Sequence, residues 1–245
     1  MCYNGYGDRD RALNMSLSPD NDRAVLTGDI VNSSKLLPRE RQVLFEAFPI
    51  LSAMLRERYP HAVHYNISNF RGDGWQLIVN QPAKSLEVSL YIRTYLRFAV
   101  TEKKIDSRIA IGIGQVDFVP EGNVSAGYGS AYTASGHLLE ALPGSQRMAL
   151  GFAARDPGLV HAAAVILVEL VDTLVSAWGA SQCQAVYWAL QGLTQTQIAQ
   201  RWLPAPIKQP SVSNNINRSA WPTIRKTLAF FEQVIDRLAE REPGE

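Results

Sequence analysis

Cysteine, net charge and long uninterrupted apolar runs are all scarce in this sequence, and each scarcity excludes a class of protein. The 245 residues hold two cysteines, Cys2 and Cys183, far apart and without metal-ligand spacing. That excludes a disulfide framework and a cysteine metal centre. With no secretory apolar segment ahead of them, both read as incidental thiols in a reducing compartment, so the cytoplasm is expected. Formal net charge is +1 with ordinary apolar and charged fractions, which leaves one large or two modest soluble domains with a sizeable core. The most apolar stretch, Leu159 to Trp178, is interrupted by His161, Glu169 and Asp172 and lacks flanking basic anchors. No membrane span is expected, and the stretch predicts a buried or dimer-facing helix. No internal repeat or low-complexity tract stands out.

Acid is missing locally as well. From Thr173 to Phe231 there is no Asp or Glu, while Arg201, Lys208, Arg218, Arg225 and Lys226 fall inside that stretch. A folded unit with this bias presents a positive surface. The contrast with the acid-bearing front, and the turn signals in "ARDPG" at Ala154 to Gly158, predict a boundary near residue 155. The expected plan is a mobile arm over residues 1–21, a front domain over 22–155 and a helical rear domain over 156–245.

What is present in the front domain alternates strands and helices. Ala24 to Leu26 predicts a strand running through Gly28 and Asp29 into a turn rich in Ser and Asn. Pro38 to Arg58 repeats Leu44, Phe48, Leu51 and Leu55 at helical spacing. His64 to Asn69 and Trp75 to Val79 flank "RGDG" and predict a hairpin, in which Asp-Gly serves as a tight turn accepting positive φ. A second helix over Ser85 to Val100, a strand over Arg108 to Gly114 and a helix over Ser130 to Ala141 complete a β-α-β-β-α-β order. That is the ferredoxin-like pattern of the α+β class, a sheet covered by helices on one face.

In such a sheet the end of the first strand and the central hairpin turn are neighbours, so Asp29 and Asp73 converge and, beside loop NH groups, suit magnesium and a triphosphate. Plain readings stand beside this one. Arg71 could simply pair with Asp73, His61 and His64 suit surface or packing roles, and Gly112 and Gly114 could mark a bulge or close helix packing.

"LTGDIVNSSKL" and "FRGDGWQLIV" resemble the two metal motifs of class III nucleotide cyclases, and their aspartates at 29 and 73 stand at that family's separation of roughly 44 positions. "RIAIGIGQV" and "GYGSAYTASGHLLEAL" resemble its later strand and helix, so the likeness covers roughly residues 22 to 152. The resemblance implies Mg²⁺, or Mn²⁺, on Asp29, Asp73 and the carbonyl of Ile30. It implies phosphates on the backbone NH groups of Ile30, Val31, Asn32, Ser33 and Ser34 and close to Gly72, and sugar or base near Asn69, Ser130, Thr133 and His137. In the family, the helix carries an Asn for the ribose and, four residues later, an Arg for the transition state; here those positions hold Thr133 and His137. Loss of such an Arg removes several powers of ten in rate while leaving metal coordination in place. The expectation is therefore a nucleotide-binding domain with no catalytic residue assigned. The alternative is an active nucleotidyl cyclase, turning ATP or GTP into a cyclic nucleotide under control of the helical tail.

In the rear, "SQCQAVYWALQGLTQTQIAQRW" predicts a helix capped by Ser181 and stopped at Gly192, then a second helix opened by a capping box at Thr194 to Gln197, with Ile198 and Trp202 inside. "PSVSNNINRS" predicts a third, capped by Ser211, with Val212, Ile216 and Ala220 inward and Ser213, Asn214, Asn217 and Arg218 outward. Asn suits adenine edges, Arg suits guanine, and Ser suits phosphate or base in a major groove. The segment resembles the helix-turn-helix of sigma-factor region 4 and related regulators, usually "GLSQEEIAERLGISQSTVSRRL", with a longer proline-rich connection at Leu203 to Pro210. Double-stranded DNA is the expected partner, touched by Thr194, Gln195, Lys208, Ser211, Ser213, Asn214, Asn217 and Arg218; a plain helical bundle or dimerisation module is the bland alternative. "WPTIRKTLAFFEQVIDRL" adds a last apolar stripe, with Pro222 starting or kinking the helix, and a homodimer would suit paired half-sites. The combination resembles SatD-family bacterial proteins and implies a transcription regulator with a nucleotide effector. A scaffold that uses neither site is the remaining alternative.

Overall fold

Short apolar runs at Ala24 to Leu26, Leu77 to Val79, Ile109 to Ile111 and Met148 to Leu150 build a single five-stranded sheet in the computed structural model, which describes residues 22–70, 72–99, 105–153 and 158–239. The predicted arm over residues 1–21 and Arg71 lie outside the described residues. The strands are β1 (Arg23–Ile30), β2 (Ser68–Phe70), β3 (Gly74–Val79), β4 (Ser107–Gly114) and β5 (Met148–Phe152), in the order β2-β3-β1-β4-β5. β1 pairs antiparallel with β3 and with β4, which is the ferredoxin-like core, and β5 adds a parallel edge strand beside β4.

The front helices are α1 (Pro38–Arg58), α2 (Ser85–Ala99) and α3 (Ser130–Ala141), with the expected bounds at both ends of α1 and α3. Pro38 stands in the first turn of α1, where its missing N–H is no loss, and the Glu40 carboxylate accepts the backbone N–H of Leu37 at 2.8 Å. Leu44, Phe48, Leu51 and Leu55 are buried on one face of the sheet.

The expectation that all helices cover one face is corrected by α3, which lies on the opposite face. Ala24 and Leu26 point toward α1 and α2, whereas Val25 and Ala131 belong to a separate apolar cluster. Gly112 makes this possible: a Cβ there would stand 2.4 Å from the carbonyl oxygen of Ala131 and 2.5 Å from the nitrogen of Ser135. Thr27 and Ser135 join hydroxyls at 2.7 Å, and Gln76 donates to Thr27 at 3.0 Å, so the polar groups of this seam satisfy one another.

β2 is shorter than the His64 to Asn69 strand expected from sequence. The backbone N–H of Ile67 donates to the Ser52 hydroxyl of α1 at 2.9 Å rather than joining a ladder, and pairing begins only at Ser68. The hairpin turn also differs in detail. Phe70 pairs with Gly74, and the positive φ, +87°, belongs to Gly72 rather than to Asp73. Gly74 sits in the strand, where a Cβ would come within 2.9 Å of the Phe70 carbonyl.

Five helices follow: α4 (Leu159–Ser176), α5 (Ala180–Leu190), α6 (Gln195–Gln200), α7 (Gln209–Arg218) and α8 (Trp221–Ala239). α2 is buried nearly all round because it lies between the sheet and α5. Tyr91, Tyr95 and Phe98 meet the ring of Tyr187 at centroid distances of 4.9, 5.6 and 4.9 Å. One continuous apolar cluster therefore runs from Ala24 to Ile235. Cys183, fully buried within it, has its thiol pushed up to about 11 by burial, which fits an inert side chain. α8 packs on α4 with Ile224, Leu228, Phe231 and Ile235 inward, and Pro222 starts this helix rather than kinking it. On the outer face of α4, Leu159, Ile166, Leu170 and Leu174 are exposed.

Candidate functional site

The loop that leaves β1 and the β2-β3 turn meet at one end of the sheet. Asn32 takes a left-handed φ of 57°, which Asn accepts more readily than most residues, and Ser33–Lys35 form a short 3-10 turn. The Ser33 hydroxyl donates to the Asp73 carboxylate, so the two motifs, 40 positions apart, are joined directly. Between them and the first turns of α1 lies a cavity of about 470 Å³. It is lined by Ser33, Ser34, Asn69, Gly72, Gly74 and Asp73 on its polar side and by Leu36, Leu44, Phe45 and Phe48 on its apolar side, with Arg41 at the rim.

Asp29 stands on the strand next to this turn, but its carboxylate is engaged otherwise. Arg108 faces it directly across the β1-β4 ladder and donates Nε to Oδ1 at 2.9 Å and Nη2 to Oδ2. The hydrogen bonds that Arg108 donates to Asp29 chiefly raise the Arg108 pKa, with burial opposing and the charges of Asp29 and Asp73 adding to the rise. Arg108 is thus the ion-pair partner of Asp29. The structure pairs the two expected metal carboxylates differently: Asp29 accepts from Arg108 and Asp73 from Ser33. Nothing in the sequence alone marks Arg108 as the partner, because the pairing depends on the register of strands 79 positions apart.

The donor set nevertheless suits a hard cation. Asp29, Asp73, the Ser33 hydroxyl and the carbonyl of Ile30, whose side chain is buried, are all oxygens, and Mg²⁺ is commonly held by one or two carboxylates plus substrate phosphates. No group of three or more His, Cys, Asp or Glu is placed to hold a metal ion among the described residues. Any metal here would rest on this pair after Arg108 releases Asp29.

Other expected ligand residues lie elsewhere. Val31 and Asn32 do not line the cavity; the Val31 N–H is bonded to the Asp106 carbonyl at 2.9 Å. Ser130 caps the far end of the sheet, its hydroxyl accepting the Gln115 N–H at 2.9 Å. Thr133 and His137 are exposed on α3, across the sheet from the cavity. Within one chain, these three do not join the site. Arg41 and Phe45, which do, were missed because they stand off the stripe of Leu44, Phe48, Leu51 and Leu55. An arginine and an aromatic at i and i+4 beside that stripe were the available signal.

Asp106, at the head of β4, ties this end of the sheet to the rear helices. Its neighbour Ser107 donates to the Asp29 carbonyl at 2.6 Å and accepts the Trp75 indole at 3.0 Å. Arg93, fully buried on α2, grips the Asp106 carboxylate with Nε at 3.0 Å and Nη2 at 2.8 Å, and reaches Asp172 of α4 with Nη1 at 2.7 Å. Burial opposes the charge on Arg93, but Asp106 and Asp172 outweigh it and raise its pKa. Arg97 donates to the carbonyls of Val175, at 2.6 Å, and Trp178, at the end of α4.

A second set of candidates lies on α6 and α7. The expected capping box is present: the Gln197 N–H donates to the Thr194 hydroxyl at 3.3 Å, and the Thr194 N–H donates to Gln197 Oε1 at 2.9 Å. α5 and α7, however, begin earlier than Ser181 and Ser211 predicted, with Gly179 and Lys208 as caps; in α7, Pro210 supplies a ready-made first turn. Ala220, expected inside α7, instead takes a φ of 53° after the helix ends. Val212 and Ile216 are buried, Ser213 is half-buried, and Lys208, Ser211, Asn214, Asn217 and Arg218 are exposed. Gln195 is already bonded to Gln209, which joins the starts of α6 and α7. Arg201, Arg225 and Lys226 are exposed as well, so all five cations of the acid-free stretch face solvent.

No protein-family model and no curated protein matches the chain. Several solved structures are similar to it over about half its length. A guanylate cyclase domain from Catenaria anguillulae in complex with GTP is 15% identical over 54% of this chain and 78% of that one, with a TM-score of 0.42. A bacterial light-regulated adenylyl cyclase is 17% identical over 53% of this chain and 43% of that one, at 0.40. An adenylate/guanylate cyclase/hydrolase from Silicibacter pomeroyi is 20% identical over 53% of this chain and 75% of that one, at 0.38.

Proposed function

We propose that the chain is a one-component transcriptional regulator. Its front half binds a nucleotide with Mg²⁺ beside Asp73, and its helix-turn-helix rear reads double-stranded DNA. The carrying observation is the cavity of about 470 Å³ built from both cyclase-like motifs, with Ser33 bonded to Asp73 at its mouth. Ser33, Ser34 and Asn69 would meet the phosphates and sugar, and Asp73 and Asp29 would hold Mg²⁺, which when bound offsets the charge of the phosphates. On this account a cation entering the site competes with Arg108 for Asp29.

Such competition also gives the ligand a preferred arrangement of the chain, which coupling between sites requires. Arg108 is two residues from Asp106, whose carboxylate is fixed through Arg93 to α4. The exposed apolar residues of α4 would suit a second copy, as paired DNA half-sites demand.

DNA binding is tested by gel shift on fragments of the source genome. Asn217→Ala and Arg218→Ala, both exposed, should each weaken binding to the selected site by about 1–3 kcal/mol and relax its sequence preference. Lys208→Gln should weaken all sequences alike and flatten the salt dependence by about one unit of slope. Absence of any shift, with or without Mg²⁺ and nucleotide, overturns the DNA half of the proposal.

Turnover is tested separately, by incubation with ATP or GTP and Mg²⁺ or Mn²⁺ followed by chromatography. Thr133 and His137 in place of Asn and Arg support no accumulation of cyclic product. Steady release of a cyclic nucleotide would replace the sensor with an enzyme.

A further inference from the structure

The cavity beside Asp73 is more apolar than a phosphate site needs to be. Leu44 and Phe48 form its floor, almost fully buried, and Leu36 and Phe45 form a wall. Phe45 is 38% exposed, an aromatic ring at the surface of α1 between the buried Leu44 and Phe48. Its neighbour one turn earlier on the same side, Arg41, is exposed as well. Its guanidinium donates to the Ser33 carbonyl at 3.4 Å. Arg41, Phe45 and Leu36 also border a second, shallower hollow of about 670 Å³ along α1, so they form the ridge between two open spaces.

From these features we infer that Phe45 is the stacking platform for the base of a nucleoside polyphosphate and that Arg41 binds one of its phosphates. The inference rests on the nucleotide reading proposed above and specifies how that ligand is held. A volume of about 470 Å³ lies within the usual range for small-molecule sites, which are mostly apolar with a few placed polar groups. Inorganic polyphosphate would use only the polar mouth and leave the apolar wall wet. A nucleotide uses both: its ring covers Phe45 and excludes water from Leu36 and Phe48, while its phosphates reach Ser33, Ser34 and the cation side at Asp73. A guanidinium offers a fork of donors that matches a phosphate. Because Arg41 and Phe45 stand four residues apart on one helix face, ring and anion are gripped by one rigid element.

The test compares ATP, GTP, CTP, UTP and inorganic tripolyphosphate, each with excess Mg²⁺, by titration calorimetry on the full chain. At least one nucleotide should bind wild-type protein about tenfold to a hundredfold more tightly than tripolyphosphate, the range expected of base stacking on an aromatic side chain. Phe45→Ser should erase that margin while leaving tripolyphosphate binding within about threefold, and Phe45→Tyr should keep it. Arg41→Gln should weaken nucleotide and tripolyphosphate together by about tenfold, as loss of a charged hydrogen bond does. Both replaced side chains are solvent-exposed, and thermal melting checks that the variants fold. If nucleotides and tripolyphosphate bind equally, or Phe45→Ser leaves the margin intact, the base platform is refuted while the metal-and-phosphate reading stands. If neither class of probe binds wild-type protein, both fall together.

Discussion

Replacing Arg93 with Met should destabilise the protein by about 3–5 kcal/mol, the usual result of removing one partner from a buried ion pair. For a chain of this size that is a fall of roughly 10 °C or more in melting temperature. Arg93 has no exposed surface, and its three nitrogens serve Asp106 and Asp172 at once. Asp172 is 3% exposed and would keep only the Arg147 N–H, at 2.8 Å, and the Ser176 hydroxyl, at 3.1 Å. Two hydrogen bonds do not compensate a buried charge stripped of its counter-ion. Arg93→Lys should fare little better, because an ammonium cannot hold Asp106 with two parallel bonds. Adding Asp172→Leu to Arg93→Met should recover part of the loss, since the stranded charge goes with it. Urea unfolding measures all three. A loss below about 1 kcal/mol for Arg93→Met would mean that this network does not hold α2, α4 and the head of β4 together.

How much of this was legible in the sequence depends on how local each feature is. α1 and α3 were readable to their end residues because Pro38 and the apolar stripe of α1, and the turn glycines before Ser130, are local signals. The Thr194 to Gln197 box was readable for the same reason. β5 was not: Met148 to Phe152 is a five-residue apolar run without alternation, and only a parallel neighbour makes it a strand. The side of the sheet that α3 occupies was also hidden, although Gly112 carries the reason, because a glycine in a strand does not say what approaches it. At the site, the nearness of the end of β1 to the Asp73 turn follows from ferredoxin-like strand order and was expected, whereas the bond between Ser33 and Asp73 was not. The capture of Asp29 by Arg108 was not, since opposite placement on β1 and β4 is a matter of register. Ser130, Thr133 and His137 were assigned by family resemblance alone, and the fold places them across the sheet from the cavity.

Asp73→Asn should weaken Mg²⁺-nucleotide binding by on the order of a hundredfold or more, because it removes the carboxylate that lines the cavity while leaving its shape. The amide oxygen still accepts the Ser33 hydroxyl, so the loop and hairpin should stay joined and the melting temperature should change little. Charge is therefore separated from structure at this position. Asp29→Asn is a less clean probe, since it also frees Arg108.

The most direct measurement is calorimetric titration of the purified chain with ATP and GTP, in Mg²⁺ and again in EDTA, for wild type and Asp73→Asn. Saturable binding by wild type that disappears in EDTA and in the variant is the predicted result. Identical heats for both proteins, or binding indifferent to Mg²⁺, would contradict a metal-dependent nucleotide site at Asp73.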